Sequence, residues 1–164
     1  MDPQGEHTGG GARLTDASHA GLYACDEATA EALAREAVAA GLRVVGIDLE
    51  HATGRAALLD AFADALELPE YFGGNWDALD ECLRERSLLA DGGATAGGLL
   101  LRLHGSDRAA IAAPDAFQTL LEILDDAVED WRDRDVPCWV LAVTESPGDI
   151  GVEPLPGGAT RTAS

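Results

Sequence analysis

The sequence predicts an α/β domain in which a small parallel β-sheet is flanked by helices. Short apolar runs recur along the chain, as is typical of buried strands, and LRVVGIDL (42–49) is also dense in β-branched residues. Stretches with apolar residues at helical spacing separate these runs. The hydrophobic fraction of 46% is large enough to form a core, and a length of 164 residues suits one domain. Strands that alternate with helices favour a parallel sheet.

The front of the chain predicts two strand–helix units. GLYAC (21–25) is a short strand candidate, and the helix after it opens at Asp26 and ends at Gly41. LRVVGIDL (42–49) is predicted as a buried strand, and Thr53 as the N-cap of the following helix. The apolar faces consist of Ala30, Leu33, Ala34, Ala37 and Val38 in the first helix and of Ala57, Leu58, Ala61, Phe62, Ala65 and Leu66 in the second.

The second half of the chain predicts two more strands with a long helix between them. GLLLRLHG (98–105) and PCWVLAV (137–143) are the strands, and DGGATAGG before the first is a flexible connection. The helix runs from about Pro114, which suits a first helical turn, to Asp133. Its inward residues are Phe117, Leu120, Leu121, Leu124, Val128 and Trp131.

Both ends of the chain lack hydrophobic periodicity. We expect a flexible arm over residues 1–20, a single domain over 21–145 and a flexible tail over 146–164. The N-terminus has no positively charged start and no apolar core, so we expect no signal peptide. Since no apolar run approaches the length of a membrane span, we expect a cytoplasmic protein that does not enter a membrane.

Net charge is the strongest compositional feature. The chain carries 11 basic and 30 acidic residues, which gives a formal net charge of −19. Such a surface repels nucleic-acid phosphates and anionic membranes, so we expect neither as a partner. It favours a basic protein partner, because an acidic field raises the rate of encounter with a positive surface. The alternative is that the charge serves only to keep the protein in solution.

The cysteines predict neither a disulfide framework nor a zinc site. Cys25, Cys82 and Cys138 are odd in number, widely spaced and without a paired CxxC. All three lie among apolar residues, so we expect buried, reduced thiols. We also expect no cofactor.

The segment 69-PEYFGGNWDALDECL-83 combines turn residues, aromatic residues and acids. The pair Leu68-Pro69 ends the preceding helix, and Gly73-Gly74 permits backbone angles that other residues disfavour. Asn75 is the predicted N-cap of a new helix, whose apolar face contains Trp76, Leu79, Cys82 and Leu83.

Acidic residues occupy the other side of this predicted helix. Asp77 and Glu81 lie one turn apart on the face opposite the apolar one, and Asp80 lies nearer the boundary, within reach of Arg84. One interpretation is an ordinary solvated face. However, Asp77 and Glu81 are like charges at i, i+4, which destabilises an isolated helix, and nearby aromatic residues are typical of an interface.

The run 68-LPEYFGGNWDALDECL-83 resembles the signature of the barstar family, intracellular inhibitors of bacterial ribonucleases. The resemblance extends through LRVVGIDL, DAFADALEL, GLLLRL, the helix at 114–133 and CWVLAV, and so covers residues 42–143. It implies a small α/β fold with a parallel sheet flanked by helices, to which residues 21–41 add a strand–helix unit. It also implies that the second helix of this region, which starts at Asn75, and the loop before it block the active site of a nuclease.

The resemblance also implies site residues. Tyr71, Gly73, Asn75, Asp77 and Glu81 occupy positions that match the family, with Glu81 where the best-known member has an aspartate. Trp76 replaces an aliphatic residue and Asp80 replaces an aromatic one. A last acid, before the final strand, is either Glu129 or Asp130. The implied partner is a basic ribonuclease or the nuclease domain of a toxin, and we expect the free protein to be a monomer.

Two alternatives remain at the level of sequence. The first is an interaction module that has kept the fold and binds another basic protein, which the changes at Trp76 and Asp80 favour. The second is an enzyme in which Asp77, Asp80 and Glu81 bind a metal ion or act as acid–base groups. His51 and His104 lie near predicted strand ends, but no HExxH, EF-hand or P-loop sequence accompanies them. We therefore expect neither a metal site nor a catalytic residue.

Overall fold

The computed structural model describes residues 14–68, 74–91, 93–145 and 150–155. The strands within these residues are β1 (Leu22–Cys25), β2 (Leu42–Asp48), β3 (Ala90–Asp91), β4 (Ala94–Thr95), β5 (Gly98–His104) and β6 (Cys138–Val143). The α-helices are α1 (Glu27–Ala39), α2 (Arg55–Leu66), α3 (Trp76–Leu83), α4 (Ser106–Ala112) and α5 (Pro114–Asp133). Short 3-10 helices span Ala17–His19 and Arg86–Leu89.

The main sheet has four parallel strands in the order β1-β6-β5-β2. In the middle of β5, Leu101 aligns with Val45 of β2 on one side and with Val140 of β6 on the other. On the far side of β6, Val140 also aligns with Leu22 of β1. The predicted α/β fold with a parallel sheet flanked by helices is therefore confirmed, and the unit made of β1 and α1 extends the sheet beside β6.

The alternation of side chains along β5 divides the interior into two cores. Leu99, Leu101 and Leu103 point into the larger core, which α2, α3 and α5 cover. Leu100 points to the other face, where it joins Trp139 and the alanines of α1. Because successive side chains of a strand alternate between faces, one strand contributes to both cores. The sheet consequently separates α1 on one side from the helices on the other side.

Helix starts agree with the sequence at α1 and differ at α2. The carboxylate of Asp26 accepts the backbone N–H of Thr29 at 2.8 Å, which is the expected N-cap bond. The prediction that Thr53 caps α2 is wrong. The N-cap is Gly54, in extended backbone without a side-chain cap, and its carbonyl accepts the N–H of Leu58 at 3.0 Å. Glycine is tolerated at this position, so the helix begins one residue later than predicted.

Three local features differ from the sequence prediction. Val38 is 64% exposed, so α1 packs through its alanines rather than through that residue. The predicted flexible connection DGGATAGG contains β4, which pairs with β3 in an antiparallel ribbon through Gly93 at φ +90°. Helix α4 was not predicted, because it starts after Gly105 without a capping side chain and so carries no sequence signal for a helix start.

Segments inside both predicted tails are packed against the domain. Leu14 is 1% exposed, and its carbonyl accepts the indole N–H of Trp139 at 2.9 Å. The backbone of Ala24 in β1 donates to Glu153 at 2.7 Å and accepts from Leu155 at 2.9 Å. The expectation of a flexible arm up to residue 20 and a flexible tail from residue 146 is therefore wrong for 14–20 and 150–155, since both segments carry buried apolar side chains. The remaining residues of both tails lie outside the described ranges.

We expect Leu14→Ala to lower the free energy of unfolding by about 2–5 kcal/mol, because it removes a fully buried side chain and leaves a cavity. Ile111→Ala is the matched control: Ile111 is 82% exposed, so its truncation should change stability by less than about 0.5 kcal/mol. Urea unfolding followed by far-UV circular dichroism measures both. Equal effects of the two substitutions would show that residues 14–20 do not contribute to the core.

All three cysteines are free and buried, as predicted. Burial, with a smaller contribution from the neighbouring charge of Asp26, raises the pKa of Cys25 to about 12. Burial alone raises the pKa of Cys138 to about 12. The pKa of Cys82 is also raised, first by burial and then by Glu85 and Glu81. A thiol that holds its proton is a poor nucleophile, so these side chains act as packing groups.

We expect the three thiols to react with an aromatic disulfide reagent only after denaturation. Their raised pKa also predicts a pH dependence: the unfolded thiols ionise at a pH of about 9, whereas the folded Cys25 and Cys138 ionise at about 12. Stability should therefore fall as pH rises above about 9, because the unfolded state releases protons first. The double variant Cys25→Ala/Cys138→Ala should show a smaller fall; an unchanged slope would contradict the assignment.

Candidate functional site

Helix α3 begins where the sequence predicted. Gly74 lies in the left-handed region at φ +67°, which favours glycine, and the chain then enters the extended N-cap Asn75. The side-chain oxygen of Asn75 accepts the backbone N–H of Ala78 at 2.8 Å. This bond satisfies one of the N–H groups that a helix start leaves without a partner, and it fixes the direction of the first turn.

The two faces of α3 are those predicted from its spacing. Leu79, Cys82 and Leu83 are buried, and Leu79 and Leu83 belong to the larger core. Trp76 is half-buried and packs against that core. On the outer side, Asp77 and Glu81 are exposed, and no described residue forms a hydrogen bond or an ion pair with either carboxylate. Asp77 also lies in the first turn, where the helix dipole stabilises a negative charge.

Side chains of α5 hold the C-terminal end of α3. Trp131 is fully buried, and its indole N–H donates to the carbonyl oxygen of Leu83 at 2.8 Å. The guanidinium of Arg134 donates to the carbonyl oxygen of Arg84 at 2.8 Å and lies 3.9 Å from the centre of the Trp131 ring. The last carbonyls of a helix lack partners within it, so these bonds close the end of α3. The sequence predicted Trp131 as a core residue but did not predict this bond.

Asp80 is paired within the molecule. Its Oδ1 accepts hydrogen bonds from Nη2 and Nε of Arg84 at 2.9 and 3.2 Å, which confirms the predicted i, i+4 pair. The other terminal nitrogen of Arg84 lies 3.6 Å from Oδ1 of Asp130 on α5. The bond to Asp80, followed by the charges of Asp80, Asp130 and Asp126, raises the pKa of Arg84 against the opposing effect of burial. Arg84 thus connects α3 with α5.

Of the two candidate acids on α5, Asp130 is the one beside α3. Its carboxylate faces Arg84 and also accepts a hydrogen bond from Arg134 at 2.5 Å, whereas Glu129 is exposed. Two other predicted site residues, Tyr71 and Gly73, lie outside the described residues. The structure therefore brings together Asn75, Trp76, Asp77, Asp80 and Glu81 on one helix, with Asp130 next to them.

The two histidines, His51 and His104, lie near the ends of β2 and β5 and not on α3. His104 ends β5, and its Nδ1 lies 3.7 Å from Oε1 of Glu27. The other oxygen of Glu27 pairs with Arg102 at 2.6 Å. His51 is exposed beyond the end of β2. Among the residues that the structure describes, no group of three or more His, Cys, Asp or Glu side chains is placed to hold a metal ion.

Comparison of the sequence with known families matches residues 42–143 to Barstar (barnase inhibitor). The match covers more than half of the 164 residues. The chain belongs to the barstar family. No curated protein matches it closely enough to count as a relative. Barstars are ribonuclease inhibitors rather than enzymes, so at the level of the family the chain is ribonuclease-inhibitor-like.

The barstar match sets the boundaries of the shared fold. It begins at the first residue of β2 and ends at the last residue of β6, so α3 and α5 both lie inside it. The unit made of β1 and α1 and the segment 150–155 lie outside it. Within the described parts of this barstar, no helix has the length and apolar character that crossing a membrane requires.

We expect Asn75→Ala to lower the free energy of unfolding by about 1 kcal/mol, because the N–H of Ala78 loses its acceptor. Asn75→Asp and Asn75→Ser keep an oxygen at the N-cap and serve as controls that should retain most of the stability. Urea unfolding measures the difference. A similar loss in all three variants would mean that the cap bond is not what stabilises the start of α3.

Proposed function

We propose that this barstar inhibits a basic ribonuclease, or the nuclease domain of a toxin, by placing α3 over the active site of that enzyme. The observation that carries the proposal is the exposed pair Asp77 and Glu81, one turn apart and without a described partner. Like charges at this spacing destabilise a helix by a few tenths of a kcal/mol, roughly 0.2–0.5. A basic partner offsets the repulsion between these two carboxylates, which no described residue of the helix does.

The chemistry of a ribonuclease active site fits this pair. Such an enzyme binds the phosphates of RNA with arginine, lysine and histidine side chains, which donate charge-assisted hydrogen bonds to oxygen. A carboxylate presents similar oxygens and can occupy the place of a phosphate. Around Asp77 and Glu81, the proposed contact surface includes Asn75 and the half-buried Trp76, with Asp80 at its edge; from the family resemblance it also includes Tyr71 and Gly73.

Long-range electrostatics supports the same partner. With a net charge of −19, the chain attracts a positively charged enzyme before contact, which raises the association rate at low salt. The anchoring of α3 at both ends favours binding in a separate way, because a surface that is already ordered loses little conformational entropy on binding. We expect a monomer that acts in the cytoplasm, without a cofactor and without direct contact to nucleic acid.

A second candidate function is an interaction module that binds a basic protein other than a nuclease. It is favoured by Asp80, which stands where the family has an aromatic residue and is paired with Arg84. Capture of partners from the producing cell separates the two functions. Recovery of a ribonuclease or a toxin nuclease domain supports inhibition, and consistent recovery of another basic protein supports the module.

We expect Asp77→Asn and Glu81→Gln each to weaken inhibition of the cognate nuclease by at least about 30-fold. Removing one partner of a buried, hydrogen-bonded charge pair costs about 2–5 kcal/mol, a range that comes in part from the barnase–barstar pair. Glu36→Gln is the matched control, since Glu36 is exposed on α1 and its loss changes the net charge equally. Inhibition titrations against a panel of bacterial ribonucleases, at low and high salt, measure the effect.

Chemical cross-linking maps the surface independently. All 11 basic residues of the chain are arginine, so a carbodiimide joins its carboxylates to lysines of the partner and forms no lysine cross-link between two copies. We expect cross-linked peptides that contain Asp77 or Glu81. Two results would overturn the proposed site: unchanged inhibition by both variants, or cross-links confined to α1.

A further inference from the structure

A positive charge lies within the acidic face of α3. Arg84 follows Glu81 by three residues and Asp77 by seven, so all three side chains project from the same side of the helix axis. The guanidinium of Arg84 holds Asp80 and lies 3.6 Å from Asp130. The acids of this region therefore form two classes: Asp80 and Asp130 are paired with arginine, whereas Asp77 and Glu81 have no described partner.

We propose that Arg84 is a specificity-determining residue of this surface, because it keeps Asp80 and Asp130 paired within the molecule and leaves Asp77 and Glu81 to face the partner. The inference rests on the function proposed above. It assigns Asp80 to the shaping of the surface rather than to direct contact. The arginine acts through the carboxylates that it holds, so it is a positioning residue.

An isolated exposed ion pair would be too weak for this role, since such pairs contribute little to stability. Here the pairs form a network. Asp130 is held by Arg134 as well as by Arg84, and Arg134 is itself fixed by the carbonyl of Arg84 and the ring of Trp131. The arginine and aspartate side chains of the network are only 31–36% exposed. Partial burial and shared partners make a network firmer than one pair.

The arrangement restricts the kind of partner that fits. Asp77 and Glu81 are separated by one helical turn, a rise of about 6 Å along the axis. A fitting partner presents a compact cluster of cations at that spacing and no cation opposite Arg84, where the carboxylates of Asp80 and Asp130 are already paired and offer it no free acceptor. A nuclease with a longer row of basic residues would meet Arg84 and be disfavoured. The selected class is therefore a nuclease with a small, isolated phosphate site.

A double-mutant cycle on association rates with the cognate nuclease tests the inference. In the wild-type background, Asp80→Asn and Asp130→Asn should each slow association by less than about twofold, because both carboxylates are already paired. Arg84→Met should speed association at low salt by about two- to tenfold, since it frees the carboxylate of Asp80, whereas Asp130 keeps its hydrogen bond to Arg134. In that background, Asp80→Asn should remove most of the gain. Arg84→Lys keeps the positive charge and should restore a rate near that of the wild type.

Additive effects of Arg84→Met and Asp80→Asn on the association rate would overturn the inference. A loss of binding in Asp80→Asn as large as that in Asp77→Asn would do the same. A parallel cycle on urea unfolding, without partner, should show coupling between Arg84 and Asp130 of about two- to fivefold in the unfolding equilibrium constant. Absence of that coupling also counts against the network.

The outcomes separate this inference from the function on which it rests. If the wild-type protein binds and inhibits no nuclease of the panel, the proposed function fails and the inference fails with it. If the wild-type protein inhibits a nuclease and the cycle on association rates is additive, only the inference fails. Coupling in both cycles, together with rescue by Arg84→Lys, supports both.

Discussion

The hydrogen bond from the indole N–H of Trp131 to the carbonyl oxygen of Leu83 joins α5 to the end of α3, and the acidic face depends on it. A helix of eight residues is below the length of about 12–15 residues at which isolated helices become stable in water. Helix α3 therefore exists because its surroundings hold it: Asn75 at the start, two buried leucines along one side, and Trp131 at the end. These contacts also fix the positions from which the carboxylates on its outer side project.

Electrostatics acts on two length scales in this barstar. The net charge of −19 is a property of the whole surface and affects the rate at which a basic protein arrives. The electrostatic energy of a direct contact depends on only a few nearby groups, because charges separated by more than about 10 Å are screened at ordinary salt concentrations. At this shorter range Arg84 and Arg134 neutralise part of the local charge, so the surface near α3 is less negative than the overall composition indicates.

The sequence predicted interactions between residues close together along the chain and did not predict those between distant residues. The cap by Asn75 and the pair between Asp80 and Arg84 join residues three or four positions apart, and both were predicted correctly. The periodicity of α5 and the apolar runs of β2, β5 and β6 also predicted their elements. By contrast, the bond of Trp131 spans 48 residues and that of Trp139 to Leu14 spans 125, and no spacing rule connects such partners. Helix α4 was missed for a local reason, since nothing caps its start.

The packed segments near the two ends of the chain have a practical consequence. Leu14 and Leu155 belong to the same small core, on the face of the sheet that α1 covers, and α3 lies on the opposite face. The chain is therefore anchored at Leu14 and Leu155 on the face of the sheet opposite the acidic helix. Such a domain can be attached to a surface, or fused to another protein, at both ends while the carboxylates of α3 stay open to solution.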